Sequence, residues 1–270
     1  MSVSYESLHA LKQSMESIGR DGARRFGSQE TDRVHLGFNE VDQSLGGGLL
    51  RGASHDILPK SAQEGGTATG FALALVARLA FGVPWVWVRQ DMAAREVGEP
   101  YGPGLAAFGL DPASLVLVTV PDAKEALRAA EESLRCQALG AVLFEPWGDP
   151  KQLDLTATRR LALAAEESGV TLITLRSGGH FPLGSCRTRW EIGAAISQSE
   201  GGEGLGFPAF SARLILNRQA GAGGPGGAWM MEWNHGKHLF QQANFGTGLS
   251  PSSHRPVAKA TPTLPFRHAS

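Results

Sequence analysis

Apolar and polar positions along the chain alternate between two periods, and the changes of period mark the elements. Tyr5, Leu8, Leu11, Met15 and Ile18 recur at three- and four-residue spacings. That predicts an amphipathic helix over residues 4–18 with one narrow apolar face. A polar stretch from Gly19 to Asp32, with Arg20, Arg24 and Arg25, reads as a linker. A short lone helix cannot bury its stripe by itself, so it is expected to dock either on its own domain or on a partner or neighbouring copy. The stretch from Leu45 to Leu79 organises the rest of the chain. A glycine-rich turn leads to a short apolar strand over Ser54–Leu58, a loop from Pro59 to Thr69 and a helix beginning near Gly70.

The run Pro84-Trp85-Val86-Trp87-Val88 has strand length and is closed by Arg89-Gln90-Asp91. Residues 92–114 read as loop-rich, with a short helix at Leu105 to Phe108. Val116–Val120, Ala141–Phe144 and Val170–Leu175 are further strands, separated by helices over Asp122–Leu139 and residues 153–168. That rhythm predicts a parallel sheet with helices on both faces. Trp190–Ile196, Ala212–Asn217 and Trp229–Trp233 then read as antiparallel strands completing one edge. Three segments are expected: a helix and linker over 1–34, an α/β core over 35–244, and a disordered tail over 245–270. The tail holds Arg255, Lys259 and Arg267 and no acid. It reads either as a docking segment, as a weak contact for phosphate backbones, or as solvated chain.

Composition narrows the function classes. With 25 basic and 26 acidic residues the net charge is −1, so the chain is not a polycation built to coat nucleic acid, although a local basic surface is compatible. The two cysteines, Cys136 and Cys186, are far apart and have no C-x-x-C partner, which suits a reducing cytoplasm. Arg78, Gly82 and Pro84 break the longest apolar runs, so no membrane span and no membrane partner are expected. His235 and His238 lack a third ligand, and no metal site is expected.

The layout from Leu45 to Leu79 is that of a phosphate-binding loop, in which backbone N–H groups at a helix N-terminus hold phosphates. A working loop reads G-x-x-x-x-G-K-[ST]; here Gly65-Gly66-Thr67-Ala68-Thr69-Gly70 lacks the lysine that neutralises phosphate charge. Overlaying helix starts puts Ala68 at the lysine position and Thr69 at the Mg²⁺-binding hydroxyl. Lys60 is too early in the loop unless a longer loop folds it back, and Glu64 would place negative charge beside the phosphates. Three readings stay open: a connection without ligand, nucleotide binding without turnover, and hydrolysis. No cofactor is expected on the first, ATP with Mg²⁺ on the other two.

The strand and helix order resembles the RecA-like ATPase core: a P-loop-type α/β fold, mostly parallel sheet flanked by helices with antiparallel edge strands. Particular runs narrow the likeness: LGGGLLRGASHDI, ATGFALAL, GEPYGPGLAAFGLDPASLVLV, AAEESLRC, DLTATRRLALAAEESGVTLITLR, and the short TRW and MEW. On these, over roughly residues 36–234, the chain resembles the ImuA family of bacterial mutagenesis cassettes. The resemblance implies an accessory role in SOS-induced translesion synthesis with ImuB and an error-prone replicative-type polymerase. It also makes RecA and single-stranded DNA candidate partners.

The recombinase likeness assigns further roles. Asp91 falls where a carboxylate orients the attacking water, and Glu145 where the Walker B carboxylate closes its strand. Ser177 falls near a γ-phosphate-sensing glutamine. The two DNA-binding loops map to Pro146–Gln152 and Ser177–Cys186; His180 and Phe181, with Arg187 and Arg189 behind, make candidate DNA or partner contacts. Leu8, Leu11 and Met15 are the partner-contact candidates of the N-terminal helix. The departures at the loop lysine, Asp91 and Ser177 together imply a non-catalytic adaptor. An ATPase using Lys60, or a regulator of RecA filaments independent of the polymerases, are the rivals.

Overall fold

The computed structural model describes residues 2–3, 33–176, 184–197, 206–220, 224 and 226–243. The expected helix bearing Leu8, Leu11 and Met15 lies outside them, as do Ser177, His180, Phe181 and the tail from residue 245. Strands β1 (Ser2–Val3), β4 (Ser54–Pro59), β5 (Trp85–Gln90), β6 (Leu115–Val120), β7 (Ala141–Glu145), β8 (Thr171–Leu175) and β9 (Thr188–Ala194) pair in parallel. Strands β10 (Ala209–Asn217), β11 (Gly227–Asn234) and β12 (Leu239–Gln242) extend the sheet antiparallel from β9. The sheet order is β1-β6-β5-β7-β8-β4-β9-β10-β11-β12. A small antiparallel pair, β2 (Arg33–Val34) with β3 (Leu49–Leu50), brackets helix α1 (Asn39–Ser44).

Helices cover both faces because β5, β7 and β8 are buried along their whole length and read as continuous apolar runs. On one face lies α2 (Gly65–Leu79), whose Phe71, Leu75 and Val76 meet Trp190, Ile192 and Trp233. On the other lie α5 (Ala123–Leu134) and α6 (Leu155–Ser168), packing Ala126, Ala130, Leu161 and Ala165 on Val88, Val142 and Leu172. Side-chain caps start both: the Asp122 carboxylate accepts from Glu125 N–H and the Asp154 carboxylate from Ala157 N–H. Gly169, at φ 78°, ends α6 in the left-handed conformation that glycine adopts without strain.

Four features differ from the sequence expectation. Helix α2 starts at Gly65, not near Gly70, because its buried stripe already begins at Ala68 and draws in the preceding turn. The loop-rich stretch after β5 contains an unexpected helix, α3 (Asp91–Val97), and the short helix expected at Leu105–Phe108 starts earlier, as α4 (Gly102–Ala107). The Trp190 strand is parallel to β4 and antiparallel only to β10. Finally, β12 pairs beyond β11, where Phe240 is fully buried.

Candidate functional site

The carboxyl ends of the parallel strands carry the positions where a nucleotide site was expected. Strand β4 ends at Pro59, a 3₁₀ turn spans Ala62–Glu64, and α2 follows at once. No residue from Pro59 to Gly70 has a positive φ, so the segment lacks the left-handed turns that aim successive N–H groups at one anion. The Lys60 backbone N–H donates to Ile192 C=O at 2.8 Å. The Glu64 carboxylate accepts from the Ala194 N–H and the Ser61 hydroxyl, both at 3.0 Å. Those bonds hold its pKa below the usual carboxylate value. Both side chains therefore lie toward Gly193 on β9: a Cβ there would stand 3.0 Å from Glu64 Oε1 and 3.1 Å from Lys60 Cδ.

The remaining loop candidates sit in the helix. Gly65, Gly66 and Thr67 form its first turn, and a Cβ at either glycine would meet nothing within 4 Å. Ala68, overlaid on the missing lysine, is fully buried, so a side chain there enters the core and not a ligand site. The Thr69 hydroxyl donates to Gly65 C=O at 3.0 Å, one turn back. Gly70 lies under Phe108 and Phe210, whose ring atoms would approach a Cβ to 3.3 and 3.5 Å.

The two acidic candidates are differently placed. Asp91 opens α3, half-buried, where a carboxylate suits the positive end of the helix dipole. Glu145 closes β7 on the face that carries α2, directly opposite Arg89 of β5. Its Oε2 accepts from Trp87 Nε1 at 3.0 Å and stands 3.2 Å from Arg89 Nε. Burial raises its pKa, opposed by the Arg89 charge and the Trp87 bond. Arg89, 1% exposed, also donates to Gly98 C=O at 2.8 Å. The carboxylate expected at the Walker B position is thus held in an ion pair inside the sheet.

Under β4, the candidate Arg189 joins a second network with polar residues that the sequence reading did not single out, His55, Asp56, Arg176 and Thr188. His55 lies opposite Thr188, and Asp56 opposite Arg189. Asp56 takes Arg189 Nε at 3.2 Å and a terminal nitrogen at 2.8 Å, with Arg176 Nε at 3.5 Å. His55 Nε2 is 2.9 Å from Leu50 C=O and Nδ1 is 2.8 Å from the Thr188 hydroxyl. A carbonyl only accepts, so Nε2 carries the proton and Nδ1 accepts from Thr188, whose oxygen receives Trp190 Nε1–H at 3.1 Å. Burial lowers the His55 pKa to about 4, keeping the ring neutral. The available signal was His-Asp inside an otherwise apolar central strand.

Comparisons with known proteins bear on this geometry. No family model matches the chain. It is 33% identical over 216 residues to Protein ImuA from two strains of Caulobacter vibrioides, NA1000 / CB15N and ATCC 19089 / CIP 103742 / CB 15. The match takes in 73% of this chain and 82% of that protein. The chain belongs to the ImuA family. Its fold is similar to that of the RadB recombinase crystal structure, with a TM-score of 0.51 over 78% of this chain and all of that one. At 14% identity that likeness concerns the fold alone, which is RecA-like.

In this ImuA-family chain the two described arginines behind the second expected DNA loop divide. Arg189 is 3% exposed and held by Asp56, which leaves it no surface to offer. Arg187 is half-exposed and paired with Glu166 of α6 at 2.7 Å. Burial, helped by the nearby Asp56 charge, pushes the Cys186 thiol up to about 12. Among the described residues no helix is long and apolar enough to cross a membrane.

Proposed function

We propose that this chain is a non-catalytic, cytoplasmic accessory protein of an SOS-induced translesion-synthesis assembly, a RecA-like domain with a degenerate phosphate loop. It binds ImuB and through it an error-prone replicative-type polymerase, with RecA and single-stranded DNA as further contacts. Family membership supports the assembly. The observation that carries the non-catalytic part is Ala68: the position overlaid on the phosphate-gripping lysine points into the core. Supporting it, Glu145 is engaged by Arg89 and Trp87, and Glu64 brings negative charge to the start of α2. A phosphoryl group there would lack the cation that stabilises charge in transfer.

Two measurements test the reading. The purified chain should co-elute with cognate ImuB on size exclusion. ATP with Mg²⁺ should leave its melting temperature unchanged, whereas a ligand at about 100 times its Kd adds roughly 2.7 kcal/mol. ATP-dependent phosphate release that disappears in Lys60→Ala would replace the adaptor with an ATPase. Separation of the two proteins on the column would remove ImuB from the proposal.

A further inference from the structure

Helix α6 has one face in the core, through Ala157, Leu161 and Ala165. Its opposite side exposes Leu155 by 64% and Leu163 by 47%. Leu155, Arg159, Leu163 and Glu166 fall at helical spacings on one stripe. Beside it runs the connector into β9, with Gly184 against Thr158. Between them lies a groove of about 350 Å³ whose walls include Leu155, Arg159, Leu163, Glu166, Arg187 and Arg218.

The charge of this groove is lopsided. Arg187 pairs with Glu166 at 2.7 Å. The Arg218 guanidinium is fixed by the carbonyls of Gly184 and Cys186, at 2.9 and 3.4 Å. Neither Arg159 nor Arg218 has a carboxylate partner among the described residues. Three guanidinium groups against one carboxylate leave two positive charges beside two exposed leucines. On the far side of α6 the charges balance, with Arg160 on Glu131 at 2.7 Å and Arg135 on Glu131 at 3.0 Å and Glu132 at 3.5 Å.

We infer that this groove docks an acidic segment of a partner protein that carries two apolar side chains about 12 Å apart, the rise between Leu155 and Leu163. The leucines supply apolar area and the two arginines select carboxylates. The chain's own C-terminal stretch does not fit, since from Phe245 onward it holds basic residues and no acid. Nucleic acid fits poorly too, because the groove offers leucines where bases need aromatic faces. The inference rests on the adaptor reading only for the identity of the partner.

Fluorescence anisotropy on the full chain tests it, with a labelled amphipathic peptide of about 16 residues as probe. The probe carries leucines eight positions apart and glutamates between them; a control replaces the glutamates by lysines. The acidic peptide should bind, and Arg159→Glu and Leu163→Ser should each weaken it at least about tenfold. Both sites are exposed, and an unchanged melting temperature verifies that the variants fold. Equal binding of the lysine peptide, unchanged binding by both variants, or displacement by single-stranded DNA with the same dependence on Arg159 overturns the inference. Capture of ImuB by the wild type and equally by the double variant also removes the groove but leaves the adaptor. Failure of the wild type to capture ImuB, with the acidic peptide still binding through Arg159 and Leu163, removes the adaptor and supports the groove.

Discussion

His55 occupies the interior of β4 with both ring nitrogens engaged, and burial lowers its pKa from 6.5 to about 4. Below pH 6.5 the unfolded chain takes up a proton that the folded chain refuses. The site's contribution is therefore complete above pH 6.5 and falls as the pH drops toward 4, by roughly 3 kcal/mol in all. Urea unfolding of the wild type and His55→Gln, at neutral pH and at about pH 4.5, reads this directly. The amide can serve both partners but does not titrate, so the wild type should lose about 2–3 kcal/mol more than the variant on acidification. Parallel losses would show that other groups carry the acid response. Glu145 supports a second prediction, because an ion pair is costly to break from one side. Glu145→Ala leaves Arg89, 1% exposed, without its carboxylate and Trp87 Nε1 without its acceptor. The expected loss is about 3–5 kcal/mol in urea unfolding. Glu145→Gln keeps an acceptor for Trp87 and should cost less. A Glu145→Ala protein as stable as the wild type would show that the pair with Arg89 does not hold β5 to β7.

At the scale of the element, α2 decides how the segment expected to be a phosphate loop is read. Gly65 and Gly66 lie in helical backbone with open space around the positions of their absent Cβ atoms. If they are helix residues, Gly65→Ala and Gly66→Ala remove backbone freedom from the unfolded chain and add about 0.5–1 kcal/mol each. Differential scanning calorimetry should then show the double variant melting a few degrees higher. A lower melting temperature would mean that the glycines serve a conformation alanine cannot take. The start of α2 was illegible for a physical reason: Gly-Gly-Thr reads as loop, while the bonds of Lys60 and Glu64 that fix the turn reach Ile192 and Ala194, far along the chain. The parallel strands were legible because burial on both faces writes them as apolar runs, as in Trp85–Val88 and Ala141–Phe144. The direction of β9 and the pairing of β12 were not, since local periodicity carries no strand order. The missing lysine could be read from the sequence. That Arg89 claims Glu145 could not, because it depends on β5 and β7 being neighbours. The buried Asp56 cluster depends in the same way on β4 lying between β8 and β9.

Over the whole molecule, the parallel and antiparallel parts of the sheet share one side of α2. Phe71 packs on Trp190, Phe210 and Phe240 at ring separations of 5.7, 5.5 and 5.2 Å, and Trp233 stands 5.0 Å from Phe240. The last three strands thus complete the core over that helix and are not an ornament on an already closed unit. Phe210, Leu214, Met231, Trp233 and Phe240 are all buried there. At about 2 kcal/mol each their burial contributes roughly 10 kcal/mol. That is comparable with the whole stability of an ordinary domain, about 5–15 kcal/mol. A chain stopped after Ser197 lacks all five and leaves Phe71 and Trp190 uncovered, so it should melt without a cooperative transition, lose its near-ultraviolet dichroism and bind a hydrophobic dye. A chain stopped after Ala243 keeps every described strand, and its melting temperature should stay within a few degrees of the full chain. If the shorter chain instead melts sharply at the native temperature, the parallel strands form an independent unit and the aromatic cluster is no more than a cover laid over it.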